Sequence, residues 1–238
     1  MQQTSGHTLK AFDEDIDRLR ALISQMGGIA EHNIGEAMRC LIQRDTEGAL
    51  RVVEDDRKLD ALEIEAERRA VQLIALRAPM AGDLREVVAA LKISSVVERI
   101  GDYAKNISKR VPLLGNTGKI EPLSLLPEMA RIATEMVHDV LDAFVNRDAE
   151  AAERVADRDQ AVDDFYDSIF RTLLTHMMEN PHNIGQSAHL LFVAKNLERV
   201  GDHATNIAEQ GNPTGNILGV VADPLDYARD FQRGDNFS

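Results

Sequence analysis

A decapeptide with two acidic residues occurs twice in this chain, at a separation of one hundred residues. ERIGDYAKNI spans residues 98–107 and ERVGDHATNI spans residues 198–207, with seven of the ten positions identical. A second pair of similar segments, residues 44–60 and 147–163, shares eight of seventeen positions and precedes the first pair in the same order. Similarity at a fixed period indicates repeated structural units. The 238-residue chain is therefore predicted to be a tandem repeat.

Each half of the chain is predicted to form three α-helices. Apolar residues in the third helix of each half recur at alternating spacings of four and three, which is typical of a helix packed in an antiparallel bundle. They are Ile93, Val97, Ile100, Ala104, Ile107 and Val111 in the first half, and Val193, Leu197, Val200, Ala204 and Ile207 in the second. Asp45 and Asp148 precede Ala- and Glu-rich segments and are predicted N-caps. Pro79 and Pro181 mark the turns between second and third helices.

The predicted fold is all-α, a tandem repeat of two three-helix bundles. The first helices are expected at about 9–43 and 126–146, the second to end near Leu76 and Met178, and the third near Val111 and Gln210. The predicted units are a first repeat at 9–111, a linker at 112–123, a second repeat at 124–210 and a disordered tail at 211–238.

Composition limits the classes of partner. The chain has 40 acidic and 27 basic residues and a formal net charge of −13, so phosphate groups of nucleic acids and an anionic membrane surface would be repelled. Its N-terminus lacks the apolar run of a signal peptide, and no apolar run approaches the ~20 residues of a membrane span. We expect a cytoplasmic protein that meets membranes only through partners. Cys40, the single cysteine, is expected in the core.

The repeated decapeptide places oxygen-bearing side chains along one face of a helix. Glu98, Asp102 and Asn106 follow one another at i, i+4 and i+8, as do their counterparts Glu198, Asp202 and Asn206. Paired carboxylates repel each other by about 0.2–0.5 kcal/mol, and a helical glycine costs about 1 kcal/mol. Because both unfavourable choices occur twice, a compensating function is expected. A bound cation would reverse the repulsion, and the glycine would allow a neighbouring helix to approach closely.

The second helices carry acidic residues at matching heights. If the second and third helices form an antiparallel hairpin about Pro79, Asp60 lies level with Glu98 and Asp56 with Asp102. The same relation about Pro181 pairs Asp163 with Glu198 and Asp159 with Asp202. Four carboxylates per repeat suit Mg²⁺, Ca²⁺ or Mn²⁺, or a carboxylate-bridged iron or zinc cluster. These eight residues are the predicted metal ligands, with Asn106 and Asn206 in support.

Three other interpretations compete with a metal site. The acidic residues could form an ordinary solvated face, neutralised by Arg99, Arg199 or Lys105. They could dock a helical adaptor onto basic protein surfaces without any metal. A ferritin-like di-iron enzyme would need two Glu-x-x-His motifs on inward faces, but only residues 135–138 fit, since Pro181 interrupts the other. No nucleophile, base and acid combination or phosphate loop is evident, so no catalytic residues are assigned.

The duplicated ERxGDxAxNI motif, preceded by acidic segments in each half, resembles the PhoU family. The resemblance covers nearly all of residues 9–210. It implies two three-helix bundles whose E/DxxxD motifs bind multinuclear metal clusters in some members. The chemistry of the oxygen donors leaves iron, zinc, manganese or magnesium as the candidate ions. It also implies a non-enzymatic negative regulator of the phosphate-starvation response, which links the ATPase subunit of the phosphate transporter to a sensor histidine kinase. A homodimer is compatible with the family.

The two repeats differ at positions close to the predicted ligands. Tyr103 in the first repeat corresponds to His203 in the second, and Ser95 corresponds to Lys195. We therefore expect the two sites to differ in metal affinity.

Overall fold

Seven α-helices account for most of the residues that the computed structural model describes, which are 4–114 and 124–211. They are α1 (Thr4–Gln43), α2 (Thr46–Arg77), α3 (Ala81–Ser108), α4 (Leu126–Asn146), α5 (Ala149–Ala156), α6 (Asp159–Glu179) and α7 (Ile184–Gly211). Short 3₁₀ turns occupy Val111–Leu114 and Pro181–Asn183. No β-strand occurs within the described ranges. The all-α prediction is confirmed.

Apolar stripes hold the helices of each bundle together. In the first bundle α1, α2 and α3 pack against one another, and in the second α4, α5 and α6 pack around α7. Every residue of the two predicted seams on α3 and α7 is buried, including the last, Val111, which follows α3. Along α1, Ile16, Leu19 and Ile23 begin a similar buried stripe. Burial of such stripes supplies most of the stability of helices in a bundle.

The two bundles share one hydrophobic core. α3 packs against α7 and α1 against α4, so the apolar cluster is continuous across both repeats. α3 and α7 are antiparallel: Tyr103 faces His203, whereas Arg110, beyond the end of α3, stacks over Phe192 near the start of α7. The repeats are therefore related by an approximate two-fold axis near Tyr103 and His203.

The second helix of the second repeat is interrupted, which the sequence pattern did not predict. α5 ends at Ala156, and the Arg158 N–H donates to Val155 O in a tighter turn before α6 begins. The Arg158 guanidinium binds Glu135 and Asp139 on α4, at 2.9 and 2.6 Å. These ion pairs tie the interruption to α4, whereas α2 continues unbroken through the corresponding region.

The turns into the second helices have the same geometry in both repeats. Arg44 and Arg147 both adopt a left-handed φ of 56°, ending α1 and α4. The next residues are the predicted N-caps, and both predictions are confirmed: Asp45 Oδ1 accepts from Gly48 N at 2.8 Å and Asp148 Oδ1 from Ala151 N at 2.9 Å.

Asp148→Ala is expected to lower the free energy of unfolding by about 1 kcal/mol, because it removes the acceptor for the Ala151 N–H. Asp148→Asn keeps an acceptor oxygen and should remain within about 0.5 kcal/mol of the parent. Urea unfolding followed by circular dichroism measures both. Equal losses in the two variants would contradict the capping role.

Other boundaries differ modestly from expectation. α1 begins at Thr4, five residues before Leu9, and α3 ends at Ser108. Most of the predicted linker, 115–123, and the predicted tail from 212 onward lie outside the described residues. Cys40 is buried as predicted. Among the described helices, none is long and apolar enough to cross a bilayer.

Candidate acidic sites

The first acidic site consists of Asp56 and Asp60 on α2 and Glu98 and Asp102 on α3. The Lys105 Nζ lies between two of these carboxylates, 2.6 Å from Asp56 Oδ2 and 2.9 Å from Asp102 Oδ1. The Asp56 side chain is only 3% exposed. An ammonium group thus joins α2 to α3 from inside the site.

Burial and mutual repulsion change the protonation of the first site. The pKa of Glu98 is raised to about 7, chiefly by burial and then by the negative charges of Asp102, Glu63, Asp60 and Asp56. Burial also raises the pKa of Asp56, although Lys105 opposes that shift. Hydrogen bonds to Asp56 and Asp102 raise the pKa of Lys105. The predicted set of four carboxylates is therefore brought together, with Lys105 as a permanent cation.

Glu63 belongs to this group but was not among the predicted residues. It lies three residues after Asp60, so the two share a helix face. That spacing was the available signal in the sequence.

The second acidic site consists of Asp159 and Asp163 on α6 and Glu198 and Asp202 on α7. Burial raises the pKa of Asp159, and the charges of the other three carboxylates raise it further. The nearby Thr205 hydroxyl opposes this shift but has the smallest effect. Burial likewise raises the pKa of Asp163 and of Asp202. The four predicted carboxylates are again close enough to influence one another.

The lysine of the second site takes a different position. Lys195 Nζ lies 2.5 Å from Glu198 Oε1 and 5.2 Å from the centre of the Tyr166 ring. The Glu198 side chain is 13% exposed. Lys195 therefore neutralises Glu198 from the preceding turn of α7, and it reaches α6 through the Tyr166 ring and not, as Lys105 reaches α2, through a carboxylate.

A glycine lies where the second and third helices approach each other. A Cβ added at Gly101 would lie 2.2 Å from Leu59 Cδ2, and one at Gly201 would lie 3.2 Å from Asp159 Oδ1. Both distances are too short for an undisturbed contact. The repeated glycine thus makes room for α2 or α6 beside the acidic residues, as the sequence had suggested.

The difference between Tyr103 and His203 has a structural explanation. The Tyr103 Oη lies 3.2 Å from His203 Nε2, and the two rings meet edge to face with centroids 5.3 Å apart. Burial lowers the pKa of His203, with further contributions from Arg99 and Arg199. The two residues fill the contact between α3 and α7, so His203 packs on Tyr103.

The predicted supporting asparagines and the Glu-x-x-His segment do not come together with other ligands. No hydrogen bond between described residues involves the side chain of Asn106 or Asn206, and Asn206 is exposed. Glu135 pairs with Arg131 at 2.5 Å on the surface, and His138 is 57% exposed. The Glu-x-x-His segment therefore lacks the inward orientation that a di-iron site needs. Across the described side chains, no three His, Cys, Asp or Glu residues converge in a metal-binding arrangement.

Glu98→Gln is expected to stabilise chelator-treated protein by about 1–2 kcal/mol at pH 8, after allowance for partial solvent screening. A carboxyl whose folded pKa lies above its unfolded value makes folding more favourable as the pH falls through about 7. The difference between parent and variant should therefore fall to less than about 0.5 kcal/mol near pH 4.5.

Urea unfolding at both pH values measures this effect. Glu54→Gln, an exposed change on α2, is the control and should change stability by less than about 0.5 kcal/mol. A Glu98→Gln variant no more stable than the parent at pH 8 would show that Glu98 is ordinarily solvated.

The fold and the sites together define a class of protein: a duplicated helical bundle with one acidic site per repeat. The PhoU domain model matches residues 23–111 and 126–211. The chain belongs to the PhoU family.

Named relatives match most of the chain. The phosphate-specific transport system accessory protein PhoU homolog of Zymomonas mobilis is 55% identical over 204 residues, covering 86% of each chain. The homolog of the same name from Caulobacter vibrioides is 48% identical over 204 residues, covering 85% of this chain and 89% of its own.

Solved structures have the same fold. The crystal structure of PhoU from Pseudomonas aeruginosa matches with a TM-score of 0.80 at 33% identity, covering 84% of this chain and 96% of its own. The phosphate transport system regulatory protein PhoU from Streptococcus pneumoniae matches with a TM-score of 0.80 at 25% identity, covering 89% and 99%.

Proposed function

We propose that this chain is a cytoplasmic, non-enzymatic regulator of phosphate uptake that represses the phosphate-starvation response. It acts by binding the ATPase subunit of the phosphate transporter and a sensor histidine kinase. Relatives that match over most of their length are named accessory proteins of a phosphate-specific transport system, which supports this role. The observation that carries the proposal is the pair of acidic sites, repeated on equivalent helices of the two halves.

The position of the two sites favours one continuous docking surface. Burial raises the pKa of Tyr103, Arg199 and Arg99 lower it, and Asp202 from the second site and Asp102 from the first raise it again. Both sites therefore lie close to the central contact between α3 and α7. Such a concentration of negative charge suits a basic partner surface and accelerates its association.

Metal binding is a second part of the proposal, and the second acidic site supports it better. Asp159 Oδ1 and Thr205 Oγ1 are buried there, and within the described ranges they have no hydrogen-bond partner apart from a weak interaction of the Thr205 hydroxyl with Asp159. Carboxylate and hydroxyl oxygens suit Mg²⁺ or Mn²⁺, and carboxylates also bind iron or zinc. Asp159, Asp163 and Asp202 do not converge in this structure, so they would have to turn toward a common point to hold the ion, and Glu198 would join them only by releasing Lys195. The ion would supply positive charge between α6 and α7.

The experiment is complementation in a bacterial host that lacks its own PhoU-family protein. The parent chain should restore repression of a phosphate-starvation reporter in phosphate-rich medium. Asp102→Asn/Asp202→Asn should weaken repression. The control Glu54→Gln/Glu67→Gln also removes two negative charges, both of them exposed on α2, and should not weaken it. Failure of the parent chain to repress in the presence of its own transporter and kinase would contradict the proposal.

A metal-independent adaptor is the alternative function, and the built-in lysines favour it. Lys105 and Lys195 already neutralise part of each acidic site. Co-purification of the chelator-treated chain with the transporter ATPase subunit separates the alternatives. Binding that is unchanged by removal of metal supports the adaptor, and binding that requires Mn²⁺ supports the metal-dependent regulator.

A further inference from the structure

The repeated decapeptide contains an arginine and an asparagine that neither acidic site uses. Arg99 and Asn106 are seven residues apart on α3, so they lie along one helix face, and Arg199 and Asn206 repeat this spacing on α7. Each arginine directly follows the glutamate of its acidic site and therefore lies about 100° further around the helix. The motif thus presents a second, non-acidic face in both repeats.

The antiparallel contact between α3 and α7 brings the residues of this second face together. At its centre the Tyr103 Oη lies 3.2 Å from His203 Nε2, and both residues are partly exposed. Arg99 lies about one turn before Tyr103 and Asn206 about one turn after His203, so the antiparallel packing places them at the same end of the contact. At the other end, the same relation brings together their counterparts from the opposite repeats.

Both arginines act on the centre of this contact, and each acts more strongly on the ring of the opposite repeat. Burial raises the pKa of Tyr103 on α3, and the strongest charge opposing that shift is Arg199 on α7. Burial lowers the pKa of His203 on α7, and the next contribution comes from Arg99 on α3. The carboxylates of the acidic sites act on Tyr103 less than the two arginines do. The guanidinium groups therefore approach one centre from both repeats.

The donor groups around this centre are not used within the described ranges. Arg99 and Arg199 are exposed, and neither forms an ion pair with a side chain of residues 4–114 or 124–211. Over the same ranges, the side chains of Asn106 and Asn206 form no hydrogen bond. In a chain with a formal net charge of −13, two neighbouring arginines without carboxylate partners form a local positive centre.

The chemistry of these groups suits a small oxyanion. A guanidinium group donates two parallel hydrogen bonds to phosphate oxygens, and an asparagine amide donates two more. Phosphate has four oxygens in a tetrahedral arrangement, so it can accept bonds from donors on two helices at once. A nucleotide triphosphate offers the same oxygens but carries more negative charge, which the acidic sites on both sides would repel.

We propose that the chain binds one inorganic phosphate ion between α3 and α7, held by Arg99 and Arg199 with Asn106 and Asn206 as further donors. The ion joins the two repeats at their central contact. This site goes beyond the proposed function, because docking onto a transporter and a kinase requires no small ligand. It is also separate from the proposed metal ions, since its groups are donors and not metal ligands. The chain would thereby respond to the phosphate concentration itself.

Isothermal titration calorimetry of the chelator-treated full chain with inorganic phosphate, at a constant ionic strength of about 0.15 M, tests this inference. The parent should bind one ion per chain with a Kd below about 1 mM. Arg99→Gln/Arg199→Gln should weaken binding at least about tenfold, and each single variant at least about threefold, because the two guanidinium groups share the ion. The control Arg57→Gln/Arg85→Gln also removes two exposed arginines, from α2 and α3, and should change the Kd less than about twofold.

A second variant separates directed hydrogen bonds from general attraction to positive charge. Asn106→Ala/Asn206→Ala leaves the net charge unchanged and should weaken phosphate binding at least about threefold through the loss of donors. Unchanged binding by this variant, an equal loss in the Arg57/Arg85 control, or no binding by the parent overturns the inference. Tighter binding of ATP than of inorganic phosphate overturns the assignment to the free ion. Because the protein is free of metal, none of these results bears on the metal-binding or regulatory proposals.

Discussion

Lys105→Met should lower the free energy of unfolding by about 2–3 kcal/mol at pH 7. The substitution removes the cation that binds Asp56, whose side chain is 3% exposed, and leaves a buried carboxylate unpaired. Loss of one partner from a fully buried pair costs about 3–5 kcal/mol, and the smaller value reflects the 26% exposure of Lys105. Lys92→Met, an exposed change on the same helix, should alter stability by less than about 0.5 kcal/mol.

The pH dependence of this loss identifies its cause. Without Lys105 the pKa of Asp56 should rise further above its ordinary value, so the variant regains stability as the pH falls and the carboxyl takes up a proton. Asp56→Asn combined with Lys105→Met should recover more than half of the loss at pH 7. Urea unfolding at pH 5 and pH 7 measures both effects. A loss that is equal at the two pH values would indicate a packing defect in place of an unpaired charge.

The second large effect is expected at Leu59. Leu59 is fully buried on α2, and it packs against the surface that Gly101 leaves open on α3. Leu59→Ala should destabilise the chain by about 3 kcal/mol, because it removes buried apolar surface and leaves a cavity between the helices. Leu76→Ala, at a position 77% exposed on the same helix, should cost less than about 0.5 kcal/mol.

The Leu59 variant also tests how the first acidic site is assembled. The neighbouring Asp56 reaches Lys105 only while α2 lies close to α3 at Gly101. We therefore expect Leu59→Ala and Lys105→Met to be non-additive, since both act on the same contact. A double variant whose loss equals the sum of the single losses, measured by urea unfolding, would show that packing and ion pairing are independent.

Periodicity in the sequence was sufficient to predict the buried seams of the third helices, but it did not predict the interruption between α5 and α6. The alternating spacing of Ile93, Val97 and Ile100 has one structural solution, a helix with an apolar stripe, and all three are buried. Counting residues in both directions from Pro79 predicted that Asp56 and Asp102 lie at the same height in the hairpin. Both side chains bind Lys105. Helix geometry fixes height along the axis because each residue advances the chain by a constant rise.

Side-chain direction and long-range packing could not be predicted in the same way. Nothing in the spacing shows that Lys105 turns into the acidic site while Lys195 pairs with Glu198 along its own helix. The contact between Tyr103 and His203 depends on the antiparallel arrangement of α3 and α7, which are one hundred residues apart in sequence. The role of the eight acidic residues as metal ligands stays a prediction.

The central claim is that each repeat needs positive charge between its acidic helices, which Lys105 supplies in the first repeat and which we propose that a metal ion supplies in the second. The most direct measurement is the anomalous difference density, at the manganese absorption edge, of crystals grown with Mn²⁺. We predict a peak beside Asp159 and Asp202, together with Lys105 Nζ bound between Asp56 and Asp102. A peak between Asp56 and Asp102, with Lys105 turned to solvent, would contradict the account.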